Sequence, residues 1–272
     1  YHGGESAYYL CCNRNKRSVV LDLSTAEGRD AARRLALSSQ VVVENFKAGT
    51  TARWGLDYHA LAAENPGLVY CSISGFGRTG PLADLAGYDY VVQAMGGIMS
   101  VTGEPDGPPM KVGVAIVDIT AGMLACSAIL AALRVSEATG RGQMIDMSLF
   151  DAHLSWLANV GSNYLVTGNT PARYGNAHAN IVPYQAFRAA DGWFVLAVGN
   201  DRQWQRFCRA VDRADLADDA RFTTNDLRVT NRAALVPILE AIFAGRRVEQ
   251  WVGLLREHDV PAGPVNTVDR AL

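Results

Sequence analysis

Apolar residues in the first half of the chain fall into short runs separated by stretches with helical spacing. Residues 18–23 (Ser-Val-Val-Leu-Asp-Leu) read as a strand, and Ser24-x-x-Glu27 reads as a capping box opening a helix to about Ala36. Residues 41–45 form a second predicted strand. Asp57 caps a helix that runs to Glu64, Asn65-Pro66 stops it, and 68–74 make a third strand of the type buried on both faces. This β-α-β-α-β succession predicts an α/β domain with a Rossmann-like, doubly wound parallel sheet.

Helices dominate 87–166, interrupted by a strand at 143–147, with a further helix after Ser148. The Gly, Asn and Pro of 167–171 break the pattern, and 173–178 continue as a polar loop. Residues 184–188 and 193–198 flank Ala-Ala-Asp-Gly192, a predicted hairpin with Gly192 at a φ > 0 turn position. Helices are expected near 202–211, 225–244 and 248–257. The chain therefore divides into a large α/β domain (1–166), an interdomain linker and loop (167–190) and a small α+β domain (191–272).

With 272 residues and 49% apolar content, the chain can bury a substantial core. Its formal charge of −2 argues against a nucleic-acid partner bound by phosphate neutralisation. No run approaches the ~18 uninterrupted apolar residues of a membrane helix, and no signal peptide opens the chain, so no membrane partner and a cytoplasmic or mitochondrial-matrix location are expected. Cys11, Cys12, Cys71, Cys126 and Cys208 lack C-x-x-C spacing and read as reduced, mostly packed thiols. The five histidines, His2, His59, His153, His178 and His258, are scattered without metal-ligand spacing. His178 stands out, because it lies in a Gly- and Asn-bearing loop between the domains; a purely structural role is the alternative.

Asp118 is the position where chemistry is most strongly suggested. It is the sole acidic residue between Asp106 and Glu137, set between the apolar run 111–117 and a long amphipathic stretch, 119–133. An ionised carboxylate among so many apolar residues needs a partner or a purpose. One reading is a helix N-cap; the other is a functional group. The segment Gly75-Phe-Gly-Arg-Thr-Gly80 matches G-x-G-x-x-G, but Pro81 stands where the helix should be running and no acidic residue follows about 20 positions on, so a dinucleotide fingerprint is rejected. Its glycines instead allow close backbone approach. There is no G-x-S-x-G elbow and no activated Cys, which leaves a carboxylate nucleophile.

Taken together, Asn15-Lys-Arg-Ser18, Val43-Glu-Asn-Phe46, Ser74-Gly-Phe-Gly-Arg-Thr-Gly-Pro81, Gly87-Tyr-Asp89, Thr102-Gly-Glu-Pro-Asp-Gly-Pro-Pro109, Asp118-x-x-x-Gly122 and Thr139-Gly-Arg-Gly-Gln143 resemble the class III CoA-transferases, a family that also includes 2-methylacyl-CoA racemases. Within it the chain is most similar to the succinate–hydroxymethylglutarate CoA-transferase type, through 172–178, 181–187 and 224–229. The resemblance implies that Asp118 attacks an acyl-CoA thioester to give a mixed aspartyl anhydride, with Asp89 assisting. It implies that Leu21, Asn45, Phe46 and Arg53 bind the CoA nucleotide. CoA thioester enters as substrate, a small carboxylic acid, expected to be a dicarboxylate, is the acceptor, and no cofactor is held permanently. Racemases of the family carry a His where this chain has Tyr88, which favours transfer over racemisation; a catalytically idle CoA-binding homologue is the remaining alternative. Ala177-His-Ala-Asn180 replaces the family's glycine-rich loop, making His178 and Arg173 candidates for contact with the acceptor carboxylate. The resemblance further implies an interlocked-ring homodimer, and an opening βα unit and a closing return segment that lie outside this sequence.

Overall fold

Residues 41–44 and 69–74 are rich in Val, Ile and Tyr and too short for stable helices, and each forms a strand: β1, Val41–Glu44, and β2, Val69–Ser74. With β3, Met144–Ser148, they make a parallel sheet in the order β1-β2-β3. Glu44 pairs with Ser72, and Ser74 with Ser148, so the strands deliver their C-terminal residues to one edge. The computed structural model describes Tyr1 and residues 3–272; His2 lies outside the described residues. The chain forms two units, one of 1–98 with 111–167 and one of 99–110 with 168–272.

Several expectations are corrected. Residues 18–23 form no strand: Val20 is 95% exposed, and among the described residues β1 pairs only with β2. An alternating apolar run becomes a strand only where a neighbour takes its N–H and C=O groups. The three described strands of this sheet follow chain order, and the architecture is mixed α/β. The helix after it is Ala26–Leu37, capped by Thr25 instead of Ser24, because Asp22 Oδ1 already takes both the N–H and the hydroxyl of Ser24. Asp57 does cap Tyr58–Ala62, accepting the N–H groups of His59 and Ala60.

The helix Ile116–Thr139 is not amphipathic in the expected sense. Its inward face is built from Val117, Ala121, Ala125 and Ala132, while Ile119, Met123, Leu130 and Val135 are exposed. Small inward residues bring the helix close to β2 and β3, and the large apolar residues are left outside. By length and composition alone this helix could also cross a membrane, a test that core helices pass as well. Three of the five cysteines, Cys11, Cys12 and Cys126, are exposed, so most of the thiols are not packed. Cys71 and Cys208 are buried, and burial pushes the Cys208 thiol up to about 12, which makes it inert.

The second unit begins earlier than expected. The 168–190 stretch, read as part of a linker, packs with it, as does 99–110. β4, Tyr184–Arg188, and β5, Trp193–Ala197, form the expected hairpin, closed by the Ala189 N–H donating to the Gly192 carbonyl at 2.8 Å. Gly192 itself is not among the positive-φ residues, so its conformational freedom is not what makes the turn. β6, Ala262–Pro264, adds to the other edge of β5. Phe187, Phe194, Phe207, Phe243 and Trp251 fill the core against the helices Asp201–Ala210, Arg232–Phe243 and Val248–Glu257. The single helix expected over 225–244 is two, Asn225–Thr230 and Arg232–Phe243, divided at Asn231.

Candidate active site

The long helix starts at Ile116 with Ala115 at its N-cap, so Asp118 is the third helical residue and does not cap it. Ala115 has no side-chain oxygen with which to hold the first-turn N–H groups. Asp89 supplies it: its Oδ1 accepts the N–H of Val117 at 2.8 Å and of Asp118 at 3.4 Å. Asp89 opens the helix Asp89–Met95, immediately after Tyr88, which sits at that helix's N-cap and is 75% exposed. Asp89 Oδ2 accepts from Gln93 Nε2 at 2.6 Å, and Gln93 Oε1 accepts the N–H of Val112 at 2.9 Å. Gln93 is fully buried and both ends of its amide are used, which fixes its orientation. With Gln93 and two backbone amides all donating, both oxygens of Asp89 are held as acceptors.

Asp118 itself is exposed on the helix surface, and among the described residues nothing hydrogen-bonds its carboxylate. Partial desolvation, and then the negative charge of Asp89, raise its pKa above the usual value for Asp. On the inward face of the same helix, Val117 and Ala121 pack with Val92, Leu149 and Ala152. His153, on the helix Leu149–Leu154, is buried with both ring nitrogens unpartnered among the described residues, and its burial lowers its pKa while Asp89 acts in the opposite direction. The ring lies under Gly96, where a Cβ would come within 2.8 Å of Nδ1.

The glycine segment fixes where Asp89 stands. A Cβ on Gly75 would lie 2.5 Å from the Gly87 Cα, so β2 continues into a chain crossing that only glycine permits, one residue before Tyr88. The C-terminal edge of the sheet, where open α/β sheets bind ligands, also carries Asn45 and Phe46 directly after β1. Asn45 Nδ2 donates to the Ile73 carbonyl at 2.7 Å, and the exposed Phe46 ring meets Trp54 edge-on at 5.2 Å. Arg53 closes the short helix Thr50–Arg53 and is exposed, with Nη2 donating to Thr50 Oγ1. Leu21 is half-buried in irregular chain. Among the described residues no three His, Cys, Asp or Glu side chains are grouped to hold a metal.

The model of CoA-transferase family III matches residues 1–272. This chain belongs to that family. It is 48% identical over 264 residues to a succinate–glutarate CoA-transferase of Agrobacterium fabrum, covering 97% of this chain and 66% of that protein. It is 40% identical to the succinyl-CoA:glutarate CoA-transferase of Mus musculus, over 97% of this chain and 61% of the relative. The crystal structure of a CAIB/BAIF family protein from Brucella suis superposes with a TM-score of 0.87 at 50% identity, over 97% of this chain and 70% of that one. The chain thus spans less than two thirds of the length of these two transferases.

In this family III chain, the remaining two site candidates belong to the second unit. Arg173 is committed to backbone: Nε donates to the Glu104 carbonyl at 3.0 Å, and Nη2 to those of Pro105 and Gly107 at 3.3 and 2.7 Å. Its guanidinium joins 104–107 to the loop. His178 Nδ1 accepts the Asn180 N–H at 3.1 Å, and its ring meets Tyr184 at 5.3 Å. That bond assigns the proton of the neutral ring to Nε2, which is left as a donor. Sequence reasoning gave no role to Gln93, His153, Glu44 or Arg78. Gln93 had a readable signal, its i+4 spacing from Asp89 on a helix, and Glu44 and Arg78 stand inside two of the quoted motifs; His153 had no such signal.

Proposed function

We propose that this family III chain belongs to a CoA-transferase that moves CoA from an acyl-CoA donor to a small carboxylic acid through an acyl group carried on Asp118. The observation that carries the reading is the Asp118 carboxylate: exposed, free of hydrogen bonds among the described residues, and placed by a neighbour that grips its helix instead of its oxygens. A carboxylate oxygen attacks the thioester carbonyl, the C–S bond breaks, and CoA leaves as thiolate, giving a mixed anhydride. The thiolate then attacks the aspartyl carbonyl, which releases the donor acid and leaves CoA on Asp118. The acceptor carboxylate displaces that thiolate, and the thiolate finally takes the acceptor acyl group, restoring Asp118. No proton is transferred in these steps, so no general base is required. A raised pKa makes the ionised carboxylate more basic and a better nucleophile.

The names of both transferase relatives support succinyl-CoA as donor and a dicarboxylate as acceptor. Leu21, Asn45, Phe46 and Arg53 are assigned to the CoA nucleotide, and His178 Nε2 to the acceptor carboxylate, with Arg173 shaping the loop that presents it. Tyr88, a phenol at the position where racemases of the family carry an imidazole, supports transfer over racemisation. The exposed Ile119, Met123 and Leu130 support a homodimer that covers the outer face of the long helix, without a membrane. The setting is the cytoplasm or a mitochondrial matrix, and no cofactor is held between turnovers.

Mass spectrometry of the protein quenched with succinyl-CoA tests the reading. A succinyl adduct on the Asp118 peptide, absent in Asp118→Ala, is expected. Absence of both adduct and CoA exchange would sink it, and deuterium entering the α-carbon of a 2-methylacyl-CoA would point to racemisation.

A further inference from the structure

Behind Asn45 and Phe46 lies a group of charges that the acyl-transfer chemistry does not use. Glu44, the last residue of β1, is 7% exposed, and Ser72, its partner on β2, is 1% exposed. Glu44 Oε1 accepts from the Ser72 hydroxyl and from Arg78 Nη2, and Arg78 Nε donates to Ser72 Oγ. The Arg78 backbone N–H donates to Asp146 Oδ2 on β3 at 2.8 Å, tying the glycine segment to the third strand. The second oxygen of Glu44 is turned forward: Oε2 accepts the N–H of Phe46 at 2.7 Å.

Burying a carboxylate and a guanidinium costs free energy, and a well-packed apolar pair would often serve the fold as well. What an apolar pair cannot do is hold the Phe46 amide. Glu44 closes a two-residue turn on its own chain, and Asn45 is pinned from the other side by its bond to the Ile73 carbonyl. The Phe46 ring is thereby held half-exposed against Trp54, offering a flat apolar surface at the ligand-binding edge of the sheet.

We propose that the Glu44–Arg78 pair is a positioning device for the nucleotide end of CoA, acting through the Asn45–Phe46 turn and not on the reacting atoms. The inference rests on the reading that Asn45 and Phe46 meet the CoA nucleotide. Without the pair, the turn must be ordered at the moment of binding, and that ordering is subtracted from the affinity for the part of the substrate that touches it. A truncated thioester that lacks the nucleotide does not touch the turn and is indifferent to the loss.

The experiment compares succinyl-CoA with succinyl-pantetheine as donors for the full-length protein and its Glu44→Gln, Arg78→Lys and Phe46→Ala variants, with thermal melting as a check on folding. For Glu44→Gln, kcat/KM on succinyl-CoA is expected to fall about tenfold, carried by KM, while the value on succinyl-pantetheine is unchanged. Arg78→Lys keeps the charge but not the fork, and is expected to recover part of the loss. An equal loss on both donors, or no loss on either, overturns the proposal and leaves the pair a purely structural one. If Phe46→Ala does not alter the ratio between donors, the assignment of the turn to the nucleotide is wrong, and the inference falls with it. Should Glu44→Gln fail to fold, Arg78→Lys decides: a loss confined to succinyl-CoA sustains the proposal, and any other pattern overturns it.

Discussion

Asp89 holds Asp118 by its backbone: Oδ1 accepts the Asp118 N–H at 3.4 Å and that of neighbouring Val117 at 2.8 Å. The arrangement separates two tasks that a single capping residue would combine. An N-cap carboxylate would spend its lone pairs on the first-turn amides. With Asp89 doing so, the lone pairs of Asp118 remain available, and the charge of Asp89 adds to the desolvation that raises the pKa of Asp118.

Asp89→Asn tests this coupling. The amide cannot serve as acceptor on both sides, because one of its ends must face the Gln93 amide donor or the helix amides with an N–H of its own. Loss of the cap costs about 1 kcal/mol, and misplacement of the proposed nucleophile is expected to lower kcat by roughly 10- to 100-fold. Removing the charge also lets the Asp118 pKa fall, so the acid limb of the kcat/KM profile moves to lower pH. A pH profile with an unmoved acid limb would contradict the assigned electrostatic link.

Gly75→Ala acts on the same residue from the strand side. Its Cβ would meet the Gly87 Cα at 2.5 Å, backbone against backbone, so the segment entering Tyr88 and Asp89 must shift. Overpacking of this kind costs about 1–3 kcal/mol. Transferase assays should show a loss in kcat larger than the change in KM for either substrate, and normal kcat in a folded variant would mean that the crossing does not set Asp89.

His153→Leu separates stability from chemistry. Both ring nitrogens are buried without partners among the described residues, and burial lowers the ring's pKa. With the folded pKa below the unfolded one, the folded state is penalised as pH falls through the unfolded value of ~6.5, where only the unfolded chain takes up the proton. Leu carries no such group, so the loss of stability between neutral and mildly acidic pH should be smaller than in the parent. Urea denaturation on either side of that value measures it; an identical pH dependence in the two proteins would refute the assignment.

In the second unit, Arg228 is wholly buried and donates to the carbonyls of Val182 and Phe222 and to Asp201 Oδ1 at 2.9 Å, with its guanidinium 5.1 Å from the Trp204 ring centre. Arg228→Ala leaves two buried carbonyls unpaired and should destabilise the unit by about 3–5 kcal/mol. Denaturant melts followed by tryptophan fluorescence are the check, and a loss below ~1 kcal/mol would show that the network is dispensable.

The strands of 41–44, 69–74 and 144–148, the hairpin and the Asp57 cap were readable because they rest on local pattern: short β-branched runs, alternation and turn residues. Gln93 was readable in principle from its spacing to Asp89. The exceptions share a cause. The strand at 18–23 fails for want of a neighbour, Ser24 loses its cap to Asp22, and residues 168–190 join the second unit because their partners lie far along the chain.

The sequence by itself determined most of the elements and the family, and it singled out Asp118 as the candidate nucleophile, since periodicity and ordered motifs are properties of neighbours along the chain. Only the tertiary structure decided how that nucleophile is held: by a carboxylate 29 residues away, braced by a buried glutamine and set by two glycines in contact. Hydrogen bonds and close backbone crossings depend on distances in space, and a linear pattern does not encode which distant donor will find which acceptor.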